Sequence, residues 1–206
     1  MMVLTGNTHC TRKPQMSKIL FIKSSPTGEN SRSAKVAQHL VDQLQAAGNS
    51  TVVVRDLTAS PLPHIGPDFL GGDVAKSEEA VQQLMDSDVV VIASGMINFG
   101  ISSTLKAWID HVARAGVTFR YTENGPEGLV RGKKVYLVQA RGGVYTEGPH
   151  QAFDFQDPYL RTVLGFLGMT DVETIHIEGM SLGPEAAEKS VSAAVSKAKE
   201  LAQAAA

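Results

Sequence analysis

One cysteine, Cys10, occurs in the 206 residues, so an intramolecular disulfide is impossible and nothing argues for an oxidising compartment. Aromatic residues make up only 6%, and neither sign of charge dominates: Lys+Arg number 19 against Asp+Glu 21. A nucleic-acid surface needs a basic stripe, and none stands out, so no nucleic-acid partner is expected. The best apolar run, Val89 to Ala93, is far shorter than the roughly 20 residues that span a bilayer. No membrane partner is expected, and the cytoplasm is the default compartment. His9, His39, His64, His111, His150 and His176 have no metal-ligand spacing, and the chain has no zinc signature. A G-x-S-x-G nucleophile elbow is absent as well, so neither a metal nor a catalytic nucleophile is expected.

What is present suits one globular domain, with 43% hydrophobic residues in a chain of ordinary single-domain length. The opening "MMVLTGNTHCTRKPQ" (1–15) has too short an apolar part for a signal peptide. It reads as a disordered extension or an upstream start, with Met16 beginning a folded unit that runs to residue 206. From there apolar strand-like runs alternate with helix-period segments. Strands are expected at Lys18–Lys23, Thr51–Arg55, Val89–Ala93, Lys134–Gln139 and Val172–Ile177. Helices are expected at Ser33–Ala47, at Ser77–Ser87 (capped by Ser77), around Leu105–Val112, at Tyr159–Leu167 and at Pro184–Ala202. "VTFRYTENGPEGLV" reads as a hairpin turning at Asn124-Gly125-Pro126. "LTASPLPHIGPDFLGGD" is long enough to suggest a binding loop or lid.

Repeated strand–helix alternation implies an α/β fold, a three-layer α/β/α sandwich around a parallel sheet. Five strands favour the doubly wound order 2-1-3-4-5, with a hairpin excursion between the third helix and the fourth strand, and a ligand at the carboxyl ends of the strands. Three loops fall there. The first, "KSSPTGENSRS", has neither the Lys-Ser/Thr ending of a P-loop nor GxGxxG. It still leads into a helix N-terminus, whose free N–H groups bind phosphate, and Ser25, Ser31, Arg32 and Ser33 can assist. On this loop alone a capped turn and a phosphate site stand level, and its place in the fold favours phosphate. In the second loop, Met96 and Phe99 offer apolar faces to a flat heteroaromatic ring, and Asn98 offers an amide to its edge. In the third, Arg141-Gly142-Gly143, glycine lets backbone N–H groups come close to a ligand. Asp154 and Asp157 read as solvated, and His176, on a strand, as structural.

At "GMINFGISSTLKAWIDHVARAGVTFRYTENGPEGLVRGKK" and "PYLRTVLGFLGMTDVETIHIEG" the chain resembles the FMN-dependent NADH azoreductases, relatives of the flavodoxin-like quinone reductases. The resemblance runs over nearly all of residues 16–202. It implies a flavodoxin-like domain with one FMN per subunit, NADH as co-substrate with NADPH also conceivable, and quinones or azo compounds as acceptors. Ser25, Ser31, Arg32 and Ser33 would then hold the FMN phosphate. Met96, Ile97, Asn98 and Phe99 would contact the isoalloxazine, and Ala140, Arg141, Gly142 and Gly143 would close its pyrimidine side. The family is homodimeric, with sites at the interface, so Tyr121, Phe166 and Tyr145 become candidates for the substrate cleft, the first two from the partner chain. Gly95, Ile97, Ala140 and Tyr145 depart from the family's usual Pro, Tyr, Ser and His. The competing expectations are a one-electron carrier on the same fold and a flavin-free scaffold.

Overall fold

The computed structural model describes residues 17–48, 50–70 and 75–205. The expected extension 1–15, its boundary at Met16 and the end of the long loop (71–73) lie outside them. The elements run β1 (Ser17–Lys23), α1 (Arg32–Ala47), β2 (Ser50–Asp56), α2 (Pro67–Leu70), α3 (Ala75–Asp86), β3 (Val89–Gly95) and α4 (Ser103–Val112). They continue with β4 (Phe119–Thr122), β5 (Gly125–Gly128), β6 (Lys134–Ala140), α5 (Asp157–Leu167), β7 (Asp171–Ile177) and α6 (Pro184–Ala204).

Five strands form one parallel sheet in the order β2-β1-β3-β6-β7, which is the expected 2-1-3-4-5 once the hairpin is set aside. Side chains alternate across a strand, so each central strand feeds two cores. Leu20, Ile22, Val90, Ile92, Val135 and Leu137 face α3, α4 and α5, where Trp108 and Leu164 are buried. Ile19, Phe21, Val91, Ala93, Tyr136 and Val138 face α1 and α6. Fully burying one such aliphatic side chain contributes about 1.5–3 kcal/mol, so two full faces hold the sheet firmly.

Two local expectations need correction. The hairpin pairs Thr122 with Gly125, so its turn is Glu123-Asn124, and Gly125 and Pro126 belong to β5. Ser77 lies inside α3 rather than capping it; its buried hydroxyl donates to the His111 carbonyl. The long loop is pinned over its described part. Leu57 and Leu62 are buried in the core, and the Pro63 carbonyl meets His111 Nε2 at 2.9 Å.

The hairpin stands at the N-terminal edge of the sheet. Val130 N donates to Leu167 O (2.9 Å), and a Cβ on Gly128 would lie 2.2 Å from Gly168 N, so backbone meets backbone there. Gly168 has φ +104°, a conformation open to glycine that also ends α5.

Candidate functional site

At the carboxyl edge, Ser24 extends β1: its amide and its hydroxyl both donate to Ala93 O, at 3.1 and 3.0 Å. The chain then turns through Gly28 (φ +54°) and a short 3-10 turn, Gly28–Asn30, into α1. Ser31 is the N-cap; its Oγ accepts from Ala34 N at 3.1 Å and lies 3.2 Å from Ser33 Oγ. Capping and anion binding are therefore compatible. One of the helix's orphan donors is satisfied by Ser31, while the Arg32 and Ser33 amides, at the first two helical positions, have no intrahelical acceptor. Ser25 Oγ lies 2.9 Å from Thr27 Oγ1 within the same turn. The Arg32 side chain is exposed and borders a cavity of about 460 Å³ with Pro184 and Glu188 of α6.

After β3, Met96 N donates to Ala140 O (2.8 Å), so the β3–β6 pairing continues into the loops. Ile97 and Gly100 exchange both backbone hydrogen bonds (3.0 and 2.9 Å) around Asn98 and Phe99. Both central residues have left-handed backbone, φ +47° and +70°, as in a type I′ turn. Asn tolerates this conformation; for Phe it is strained. The turn holds the exposed Phe99 ring 6.3 Å from Tyr145 and 5.7 Å from Phe153, centroid to centroid. A Cβ on Gly95 would lie 3.8 Å from Ser25 Oγ, so the first and second loops are neighbours and a side chain at Gly95 has room.

The third loop is fixed from behind. Arg141 O, Gly142 O and Gly143 O accept from Met180 N (3.1 Å), Ser181 N (2.9 Å) and Gly179 N (2.9 Å). In a trans peptide the N–H points opposite its C=O, so the Gly142 and Gly143 amides face away from residues 179–181, toward the open edge. Arg141 contributes no side chain there. Its guanidinium is fully buried, with Nη1 at 2.9 Å from Asp154 Oδ2 and 3.2 Å from Glu178 Oε1. Nε donates to Gln156 Oε1 (3.2 Å), and Nη2 donates to Gln139 Oε1. Glu178 also accepts from Tyr145 N (2.8 Å) and from the Thr146 hydroxyl (2.5 Å). Burial pushes the Glu178 carboxyl up, but the Thr146, Tyr145 and Arg141 hydrogen bonds outweigh it and hold the group below the usual carboxylate range.

Asp154 and Asp157 are thus not solvated. Asp154 pairs with Arg141 and accepts from the Gln156 and Asp157 amides (3.0 and 3.1 Å), while Asp157 accepts from Gln139, Arg161 and Thr174. The N-cap residue of α5, Gln156, caps nothing with its side chain, and the Asp157 amide is met by Asp154 instead. Gln139, Gln156, Glu178 and the ring of Phe153 carry no signal in the sequence; Gln139 meets Arg141 two residues on, but the contacts of the other three span long stretches of chain.

Tyr121 and Phe166 are not brought to these loops. Tyr121 is 75% exposed on the hairpin and meets Phe119, which packs on Phe166 (centroids 4.6 Å). Phe166 lies nine residues beyond Asp157 on α5, on the order of 13 Å down the helix from the carboxyl edge. Among the described residues, no cluster of three or more His, Cys, Asp or Glu side chains offers a metal site, and no helix is long and apolar enough to cross a membrane.

A family model described as a flavodoxin-like fold matches residues 17–202. The FMN-dependent NADH:quinone oxidoreductase 1 of Rhizobium etli is 51% identical over 205 residues, 92% of this chain and 100% of that protein. The chain belongs to the FMN-dependent NADH:quinone oxidoreductase and azoreductase family. A second relative in that family, from Herminiimonas arsenicoxydans, is 49% identical over 85% of this chain and 94% of its own. Among solved structures, an azoreductase from Bacillus anthracis superposes with TM-score 0.84 at 34% identity, over 91% of this chain and 99% of that one. An FMN-dependent NADH-azoreductase from the same species, solved in complex with FMN, gives TM-score 0.82 at 26% identity, over 91% of this chain and 100% of that one.

Proposed function

We propose that this protein is an FMN-dependent NAD(P)H oxidoreductase that passes two electrons to quinones in alternating half-reactions at one site. Reductive cleavage of aromatic azo compounds to amines follows from the same cleft. The observation that carries the reading is the convergence of three loops on one edge, with unpaired backbone amides at both ends of the site and serine hydroxyls beside one of them. At one end are the Arg32 and Ser33 amides with the hydroxyls of Ser25, Ser31 and Ser33; at the other are the Gly142 and Gly143 amides.

That spacing of donors fits a phosphate at one end and the edge of a flat ring at the other. FMN, when bound, accepts hydride from NADH or NADPH and yields electrons to the acceptor. The chain binds, orients and tunes. The α1 N-terminus and its serines hold the phosphate, with Arg32 adding charge from its exposed position. Met96, Ile97, Asn98 and Phe99 bound one side of the ring. Gly142 and Gly143, beside Ala140 and Arg141, donate amide hydrogen bonds where negative charge develops. Arg141 acts through its backbone position, since its guanidinium is committed to Asp154 and Glu178.

Donor and acceptor occupy the same place in turn, next to the Phe99–Tyr145 aromatic pair. Flat quinones and azo compounds suit that wall. Tyr121 and Phe166, remote from their own chain's loops, complete the cleft of a second copy, so the working unit is a homodimer in the cytoplasm. The test is the absorption spectrum of purified protein after adding FMN and desalting, then anaerobically after NADH and after a quinone. Retained flavin absorbance that bleaches with NADH and returns with quinone is the expected result. Retained flavin that neither NADH nor NADPH bleaches would mean an electron carrier, and no retained flavin would sink the reading at its first step.

A further inference from the structure

Two of the three loops are joined by one buried side chain that lies in neither. Gln156, the residue before α5, is fully buried against the carboxyl ends of β3 and β6. Its Oε1 accepts from Arg141 Nε, and its Nε2 donates to Ser94 Oγ, both at 3.2 Å. The amide can face only one way, because a guanidinium donates and never accepts. Ser94 stands one residue before Gly95, where the second loop begins, and its hydroxyl leans on the Gly95 carbonyl (3.4 Å). Arg141 opens the third loop. A parallel backbone tie runs beside this bridge, where Phe155 N donates to Phe99 O (3.1 Å) and so anchors the strained turn to the segment that carries Gln156.

We propose that Gln156 is a positioning residue that fixes the separation between the loop after β3 and the loop after β6, and through it the fit of the FMN ring between them. Surface bonds exchange readily with water; these do not. Removing the amide strands a buried Arg141 N–H, and the cheapest relief is for Arg141, with Gly142 and Gly143, to shift. The β-sheet holds the strands themselves in register, so the displacement falls on the loops.

The ligand in this inference is the FMN of the proposed function, so one arm of the test uses flavin-free protein. The variants are Gln156→Met, which keeps the volume, Ser94→Ala, which cuts one end of the bridge, and the double variant. In flavin-free protein, hydrogen exchange is read at Gly179, Met180 and Ser181, whose amides bond the third loop. Ser94→Ala, made on β3, should quicken exchange at these distant amides, and Gln156→Met should do so further.

With FMN, the dissociation constant should rise about tenfold in Gln156→Met and less in Ser94→Ala. The flavin midpoint potential should move in both, and Ser94→Ala should add nothing in the Gln156→Met background. Unchanged exchange at residues 179–181 in Ser94→Ala overturns the inference, even where Gln156→Met does not fold. Independent, additive effects of the two substitutions on FMN affinity overturn it equally. Wild-type protein that holds no FMN would instead refute the functional reading, and the exchange arm would still decide the coupling.

Discussion

The loops after β1 and β6 reach the same edge of the sheet, and both present unpaired amides, yet they are held in opposite ways. Beyond Ser25 the first loop's hydroxyls bond near neighbours: Ser25 with Thr27, Ser31 with Ser33 and with the Ala34 amide. Each contact is short-range, exposed at Ser25–Thr27 and buried at Ser31–Ser33, and none is an ion pair, so an arriving phosphate can replace one without breaking a salt bridge. The loop after β6 is tied to residues far along the chain, Gln156 and Glu178, through a guanidinium that water does not reach. Such a loop cannot adapt without breaking buried ion pairs. One end of the site yields to its ligand, and the other imposes a shape on it.

The largest effect that sharpens this contrast comes from Arg141→Leu. It leaves the half-buried Asp154 and Glu178 carboxylates without their buried cationic partner, a change that costs about 3 kcal/mol because their amide and hydroxyl donors remain. Urea unfolding measures it, and a loss below about 1 kcal/mol would mean that the loop after β6 is not held as described. Ser31→Ala should cost only about 1 kcal/mol, the usual worth of an N-cap, while weakening FMN retention. Equal losses in the two variants would erase the contrast between the loops.

The smallest effect is in the pH profile. The Glu178 carboxyl is held low in the folded protein, so its contribution is present above its unfolded pKa of about 4.3 and is lost as pH falls through the folded value. Glu178→Gln should therefore flatten the acid limb of stability below about pH 5, and Ser31→Ala should leave the limb's shape alone. An acid limb identical in Glu178→Gln and wild type would show that Glu178 is not preferentially ionised in the fold.

The same difference explains what the sequence made legible. Strands, helices and sheet order follow from hydrophobic periodicity, which is local, and the serine loop could be read because a cap involves residues three apart. Asp154 and Asp157 were misread as solvated because the group that buries Asp154, Arg141, stands thirteen positions upstream and meets it only in the folded chain. Ser77 was read as a cap because Ser before Glu-Glu is a cap pattern, while its true acceptor, the His111 carbonyl, belongs to another helix. The left-handed backbone at Phe99 had no signal either, since the residue expected there in a tight turn is glycine. The strand order places the three loops at the carboxyl edge, but neither it nor the family resemblance says that Arg141 faces inward.

The meeting of Gly128 and Gly168 has a consequence for how this protein can diverge. A side chain on Gly128 would collide with the end of α5, and Gly168 adds a backbone conformation that other residues rarely adopt. The hairpin's foot is thus nailed down by two positions with almost no freedom to drift. Its outer residues, Arg120 and Tyr121 among them, are exposed and held by surface contacts alone, to Glu127 and to the edge of Phe119. Descendants of this chain can repaint what the hairpin displays to a neighbour while the place where it stands is inherited intact.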